Sequence, residues 1–311
     1  MILKRNFNPI RVIGYVKVEL AFSLVLSTAV YFLFQNGWTK ISIPFSITAI
    51  LGSALAIFIA FRNNNAYARW WEARTQWGGI INSTRVLGRL VITFTDSHSH
   101  QANYDASRSN RFKQEMIYMI IAWTHALRLH LRNQDKWQEL KPYLSDSDYA
   151  KILSSHHKVN TLQLLSGQKI YKAMADGTLG GFDSFQMEGQ LLALANYQGA
   201  CERIKNTPLL RQYHYFTKLF LYAFMLLLPF SLIGDFVKLE IGAMMIPVSV
   251  LIAFVFSILG KVGEVNEDPF ENRITDVPLS AMCNTIERDL KEMLGETELP
   301  AKAVPEKGFL N

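Results

Sequence analysis

Four stretches of the chain carry no charged residue and are long enough, or nearly so, to cross a bilayer as helices. They are Leu20–Thr39, Ser42–Phe61, Leu219–Gly234 and Ile241–Gly260. A helix needs about 20 mostly apolar residues to span the hydrocarbon core. The first stretch ends on the turn residues Asn36–Trp38, only a few residues before the second begins. We therefore predict four membrane helices, of which the first two form a tight antiparallel hairpin.

The second stretch continues in the same helical phase beyond the membrane, from Arg62 to about Arg74, with polar and basic residues. This pattern predicts one long helix that leaves the bilayer. Two sets of residues recur along it every four positions: the small residues Gly52, Ala56 and Ala60, and next to them Ser53, Ile57 and Phe61. Small-xxx-small spacing lets helices approach closely in lipid. Around a symmetry axis, the second set would form a hydrophobic constriction. The alternative is a packed helix in a monomeric bundle.

Residues 62–213 differ in kind, because charged residues occur throughout and no apolar run is long enough to span a membrane. Their 3.6-residue periodicity predicts a helical domain. The candidate helices are 62–95, 109–133, 157–175 and 185–205, with breaks at 96–108, at 141–148 and at the glycines 177, 180 and 181. We also predict an amphipathic approach helix over residues 1–19, a last helix over 279–294 and a loosely ordered tail. The predicted division is 1–61, 62–213, 214–260 and 261–311.

Charge and composition place these elements relative to the membrane. The chain has 311 residues, 50% apolar, with a net charge of +6, and its mean hydropathy is only +0.10. Basic residues flank the first two spans: Lys4, Arg5, Arg11 and Lys17 precede the first, and Arg62, Arg69, Arg74, Arg85 and Arg89 follow the second. Flanking Lys and Arg mark the cytoplasmic side. We therefore expect both termini and the polar helices in the cytoplasm, no nucleic-acid partner, and no cleaved signal peptide.

Candidate chemistry is sparse. The two cysteines, Cys201 and Cys283, suit a reducing compartment. His98, His100, His156 and His157 lack partners at zinc-site spacing, so we interpret them as surface residues, and His125 and His130 as core or interface residues. The acids Glu264, Glu267, Asp268 and Glu271 could hold Ca²⁺, but without EF-hand spacing a solvated helix end beside basic residues is favoured. No phosphate loop, nucleophile elbow or HExxH motif is present. We expect no enzyme activity, cofactor or metal site.

The four spans also lack ionisable residues, which argues against a proton-coupled transporter and favours a passive pore made by oligomerisation. Several runs, in order, resemble the bestrophin family of ion channels, specifically its bacterial branch. The matching runs are Tyr67–Glu72, Gly199–Ile204 with Asn206–Pro208, Leu228–Phe230, Glu267–Phe270 and Asp276–Glu287. Together they cover about residues 1–295.

The resemblance implies a homopentamer in the bacterial inner membrane, with lipid and small inorganic ions as its other partners. It places a pore neck at Ser53, Ile57 and Phe61, and a second constriction at the cytosolic exit, with Leu179 and Phe182 as candidates. Animal members carry larger apolar residues at the neck, including two aromatics. In the family's Ca²⁺-binding segment this chain has Asn266 and Pro269 where ligand carboxylates are expected, so we predict no Ca²⁺ activation of that form.

Ion selectivity is left between two alternatives. The family implies chloride or other small anions, and the edge of Phe61 carries partial positive charge that favours them. Glu267 and Asp268 could instead attract cations, which favours a monovalent cation channel of the same fold. A third hypothesis is a non-conducting membrane-anchored scaffold whose helices bind a cytosolic protein.

Overall fold

The structure, a computed structural model, describes residues 1–4, 6, 9–97, 99–102 and 104–310. Arg5 and His98, which the sequence analysis named, lie outside the described residues. The chain divides into two compact units. The membrane unit comprises Lys4–Trp70 and Pro208–Asp268, and the polar unit comprises Met1–Leu3, Trp71–Thr207 and Pro269–Asn311.

The fold is all-α with four membrane-spanning helices, as predicted. The described residues form ten α-helices, and four ranges among them are long and apolar enough to span: 17–35, 39–94, 181–238 and 242–266. The helices are α1 Pro9–Tyr15, α2 Lys17–Gln35, α3 Phe45–Phe94, α4 Ala106–Leu131, α5 Asp146–Ser154, α6 Lys158–Ala175, α7 Gly181–Asn206, α8 Arg211–Lys238, α9 Met245–Asn266 and α10 Leu279–Met293. Within the described residues, β pairing is limited to two isolated bridges, Ile2 with Phe309 and Glu306 with Phe309.

The membrane unit packs α2, α8 and α9 against each other and against the first part of α3. Its core contains Leu55, Ile59, Phe224, Leu228 and Ile233. Pro229 lies inside α8 and is buried. A proline inside a membrane helix is tolerated when neighbouring groups satisfy the freed backbone carbonyl, so its burial fits the predicted packed bundle.

Helix α3 is the longest element of the chain. It runs without interruption for 50 residues, which at 1.5 Å per residue is about 75 Å. The predicted continuation from the second span into polar sequence is therefore confirmed. In the polar unit, the second part of α3 buries Trp77, Ile80 and Leu87.

The polar unit is built from α4, α5, α6, α7 and α10 with the second part of α3. Three of these helices were predicted within three residues of both ends. Helix α4 begins three residues early because Asp105 accepts hydrogen bonds from the backbone N–H groups of Ser107 and Arg108. Helix α7 begins at Gly181, not at 185, since the Asp183 carboxylate accepts the Gly180 N–H at 3.2 Å.

Three sequence expectations about short segments were wrong. Residues 141–148 were predicted as a break, yet α5 begins at Asp146, because the Ser145 hydroxyl accepts the Asp148 N–H at 3.2 Å. The approach helix begins only at Pro9, not at residue 1. The C-terminal tail was expected to be loosely ordered, but it is hydrogen-bonded to other parts of its unit. Leu3 N–H donates to Gly308 O at 3.0 Å, and Asn284 Nδ2 on α10 donates to Ala301 O at 3.0 Å.

Candidate functional site

The predicted neck residues lie on the face of α3 that points away from the core of its own unit. Leu55 and Ile59 are buried, whereas Ile57 is 57% and Phe61 62% exposed, and Ser53 is exposed. At 100° per residue, Ile57 lies about 200° from Leu55, and Phe61 lies about 200° from Ile59. The alternation therefore follows from helix geometry: one stripe packs within the protomer, and the opposite stripe is left without a partner from it.

The small residues Gly52, Ala56 and Ala60 do not all lie on the same surface of α3. Gly52 is buried, and a Cβ at this position would lie 2.9 Å from Cε2 of Phe224. Glycine is therefore needed for the close packing of α3 against α8. Ala56 and Ala60 are exposed, since each step of four residues turns about 40° around the helix.

Directly after Phe61, a charged cluster is buried within the membrane unit. Arg62 is only 3% exposed, and its Nη2 lies 3.0 Å from Glu267 Oε2 and 2.9 Å from His214 Nδ1. Its Nη1 also donates to Gly260 O at 3.5 Å. The sequence analysis treated Arg62 as one of several flanking basic residues. The cluster was missed because its partners come from α8 and the end of α9, far along the chain.

Next to this cluster, a further hydrogen bond joins α3 to α9. Asn63 Nδ2 donates to Leu259 O at 2.8 Å. A Cβ on Gly263 would lie 2.2 Å from Asn63 Oδ1 and 3.5 Å from its Cα. The part of α3 that directly follows the predicted neck is thus fixed to α9 and its C-cap by an ion pair, a hydrogen bond and a close glycine contact.

Three acids of the 264–271 segment are each paired with a different cation. Glu267 pairs with Arg62, Glu264 with Lys261, and Glu271 with Lys205. Asn266 Nδ2 donates to its own helix, to Val262 O at 3.0 Å. A carboxylate neutralised by a cation is a poor Ca²⁺ ligand, so this pairing favours the interpretation as a helix end beside basic residues.

The two candidates for the exit constriction differ in exposure. Leu179 is 3% exposed, and Phe182, in the first turn of α7, is 72% exposed. A side chain buried within its own protomer cannot line a passage. Of the two residues, only Phe182 is therefore available to a pore or a neighbouring chain.

The histidines occupy different environments. His100 and His156 are exposed. His125 lies 3.4 Å from the buried Glu287, which also pairs with Lys291 at 3.0 Å. Burial alone would raise the pKa of Glu287, but hydrogen bonds from His125, Lys291 and Tyr143 outweigh it and lower the pKa to about 2. His130 and His157, in contrast, meet at Glu202, a contact between α4, the start of α6 and α7.

Both cysteines are free and buried in the polar unit. Burial raises the pKa of each thiol to about 12. Thiols held in the protonated form are poor nucleophiles and poor metal ligands. Cys201 and Cys283 are therefore core residues.

The architecture is that of an all-α membrane protein with four spans and a polar helical unit. The family model of the Bacterial/Fungal Bestrophin protein matches residues 7–292. The chain is 33% identical to the "Voltage-dependent anion channel-forming protein YneE" of Salmonella typhi over 293 residues, covering 94% of this chain and 90% of the relative. The protein of the same name from Escherichia coli K12 is 33% identical over 301 residues, covering 96% and 93%.

A solved structure also resembles this chain over most of its length. A bacterial bestrophin homologue from Klebsiella pneumoniae superposes with a TM-score of 0.81 at 30% identity, covering 91% of this chain and 100% of that one. The chain belongs to the bestrophin family, in its bacterial and fungal branch, as the resemblance indicated.

Proposed function

We propose that the protein is a passive, non-enzymatic ion channel that conducts small monovalent anions through a neck formed by Ser53, Ile57 and Phe61 around the axis of a homopentamer. Membership of the bestrophin family and the names of the relatives support anion conduction. The chain is multi-pass in the inner membrane, with both termini and the polar unit in the cytoplasm, which the basic flanks of the first two spans support.

The observation that carries the proposal is the exposed stripe of α3. Ser53, Ile57 and Phe61 lie opposite the packed stripe and have no packing partner within the membrane unit, so this face is open to lipid or to neighbouring chains. In a ring of chains, that face forms three rings of side chains, of which Ile57 and Phe61 are apolar. Narrow apolar rings gate by excluding water. The edges of the Phe61 rings would favour an anion.

A cation channel of the same fold is the second candidate, and one observation favours it. The Ser53 hydroxyl donates its proton to Ala49 O at 2.9 Å. The oxygen of each Ser53 is thereby left with acceptor lone pairs toward the exposed side, which suit a cation. Glu267 adds little to this alternative, because Arg62 neutralises it; Asp268 is the acid that would attract cations.

Phe182 is the residue we assign to the cytosolic exit. Its exposure at the start of α7 makes it available to the axis, while Leu179 is buried within the protomer. Phe182→Ala should alter single-channel conductance. Leu179→Ala should lower thermal stability, as cavity-forming core substitutions do.

The test uses the purified full-length protein in planar lipid bilayers. Ile57→Ala removes the branched side chain from the central ring and should increase single-channel conductance. The matched control is Leu51→Ala on the same helix, about 120° around from the centre of the stripe; its conductance should equal that of the wild type. Equal conductance in Ile57→Ala and wild type would remove Ile57 from the constriction. An intact oligomer without current would favour the membrane-anchored scaffold.

A further inference from the structure

Three potential metal ligands from three different helical elements converge in the polar unit. His130 lies near the end of α4, His157 directly precedes α6, and Glu202 lies in α7. Glu202 Oε1 is 3.3 Å from His157 Nε2 and 3.6 Å from His130 Nε2. The ligand atoms all lie within 4.8 Å of one another, and among the described residues no other group of three His, Cys or acidic side chains does so.

We propose that this group, called here the His–His–Glu triad, binds one divalent transition-metal ion of the zinc class. In a tetrahedral zinc site with bonds of about 2.0–2.1 Å, ligand atoms are about 3.3 Å apart. The two distances to Glu202 already approach that value, and the two histidine nitrogens, which lie within 4.8 Å of each other, would move closer together around an ion. Three protein ligands would leave the fourth position to water. Two imidazoles favour zinc, cobalt or copper over calcium or magnesium.

A buried amide orients the carboxylate. Gln198 is buried, and its Nε2 donates to Glu202 Oε1 at 2.9 Å and to Asn160 Oδ1 at 2.5 Å. Gln163 Nε2 in turn donates to Gln198 Oε1 at 3.3 Å. Such outer hydrogen bonds are typical of metal sites, where they fix the ligating carboxylate. The amide chain lies within α6 and α7, so the carboxylate is held by secondary structure and not by loops.

The electrostatics suit a cation. The Glu202 carboxylate supplies a negative charge within 3.6 Å of both imidazole Nε2 atoms. Lys205 of α7, whose charge acts on His130, is paired with Glu271. The triad is partly exposed, which gives an ion access from solvent.

Binding also has a structural cost, which arises at His157. Its Nδ1 accepts the backbone N–H of Asn160 at 3.2 Å and thereby caps α6. In this tautomer the proton is on Nε2, where it points to Glu202. When Nε2 binds a metal, the proton belongs on Nδ1, and the Asn160 N–H loses its acceptor. Metal binding is therefore coupled to the first turn of α6, and the site should be weaker than a closed four-ligand structural site.

The experiment is titration of the full-length, tag-free protein in detergent with Zn²⁺ by calorimetry after removal of metals with EDTA, and with Co²⁺ by visible absorption. We expect saturable binding of about one Zn²⁺ per chain. The Co²⁺ absorption should have the intensity of a four-coordinate site and be lost on adding Zn²⁺. Glu202→Gln keeps the contact with Gln198 but removes the charge, and should weaken Zn²⁺ binding at least tenfold.

Two neighbouring histidines give a matched pair. His157→Asn keeps an N-cap acceptor but deletes Nε2, so it should weaken Zn²⁺ binding like Glu202→Gln. His156→Asn changes an exposed residue outside the triad and should bind as the wild type does. Absence of saturable binding, equal affinity in wild type and Glu202→Gln, or an equal loss in both histidine variants would overturn the proposal. In the first case, the triad is a hydrogen-bonded cluster alone.

Discussion

Neutralising Glu267 should destabilise the protein, because its carboxylate pairs with the buried Arg62 guanidinium at 3.0 Å. Glu267→Gln keeps nearly the same shape and can still accept a hydrogen bond. It leaves Arg62 with the hydrogen-bond acceptors His214 Nδ1 and Gly260 O, and with the charge of Glu264 acting on it without a direct hydrogen bond.

The size of the effect follows from the burial of the two partners. Removing one member of a buried ion pair costs about 3–5 kcal/mol. The Glu267 side chain is 22% exposed, so water can partly solvate the remaining guanidinium, and we expect the lower limit of about 3 kcal/mol. For a chain of this size that corresponds to a fall in Tm of about 6 °C.

The assay is thermal unfolding in one detergent at a fixed scan rate, so that all variants are compared under the same conditions. Asp268→Asn, which removes the adjacent half-buried charge, is the control and should leave Tm unchanged. The double variant Arg62→Met/Glu267→Gln removes both charges, so it should recover at least about 2 kcal/mol relative to the sum of the single variants. A Tm loss below about 2 °C in Glu267→Gln, or additive effects in the double variant, would refute the reasoning.

Three further predictions concern packing, pH and calcium. Gly263→Ala should lower Tm, because the added Cβ would lie 2.2 Å from Asn63 Oδ1. The control is Gly260→Ala, where a Cβ would have no atom within 4 Å, and it should leave Tm unchanged or raise it. Equal Tm changes in the two variants would contradict the close contact at Gly263. The pKa of Glu287 is depressed from 4.5 to about 2, so its stabilisation of about 3 kcal/mol is present above pH 4.5 and lost as the pH falls toward 2. Glu287→Gln should therefore have a lower Tm at pH 7 and a flatter Tm profile over that pH range, and parallel wild-type and variant profiles would oppose the assignment. Bilayer currents should be the same in EGTA and in millimolar Ca²⁺, because Glu264, Glu267 and Glu271 are each paired with a cation. Activation by Ca²⁺ would contradict this.

Periodicity and charge were sufficient to predict the four spans, the uninterrupted α3 and the main helices of the polar unit. These elements are long and amphipathic or wholly apolar, so their pattern outweighs local propensity. Helix α5 was missed because its start depends on one hydroxyl cap at Ser145. The ordered tail was missed because its hydrogen bonds reach the N-terminal residues and α10, and a sequence pattern does not reveal such distant partners.

For the candidate site, the sequence predicted the shared helix face of the neck residues but not the buried contacts next to it. Helical spacing alone placed Ser53, Ile57 and Phe61 on one face, and the structure puts that face opposite the packed stripe. The burial of Arg62 was not predictable, because a basic residue at the end of a span ordinarily marks the cytoplasmic flank. The difference in exposure between Leu179 and Phe182 also needed the structure, since it depends on where α7 begins.

The most direct test of anion conduction through the α3 neck is the reversal potential of the purified protein in a planar bilayer under a KCl gradient. The account predicts a reversal potential near the equilibrium potential of chloride. A reversal potential near that of potassium would contradict anion selectivity and would favour the cation channel, with the Ser53 oxygens and Asp268 as its selective groups.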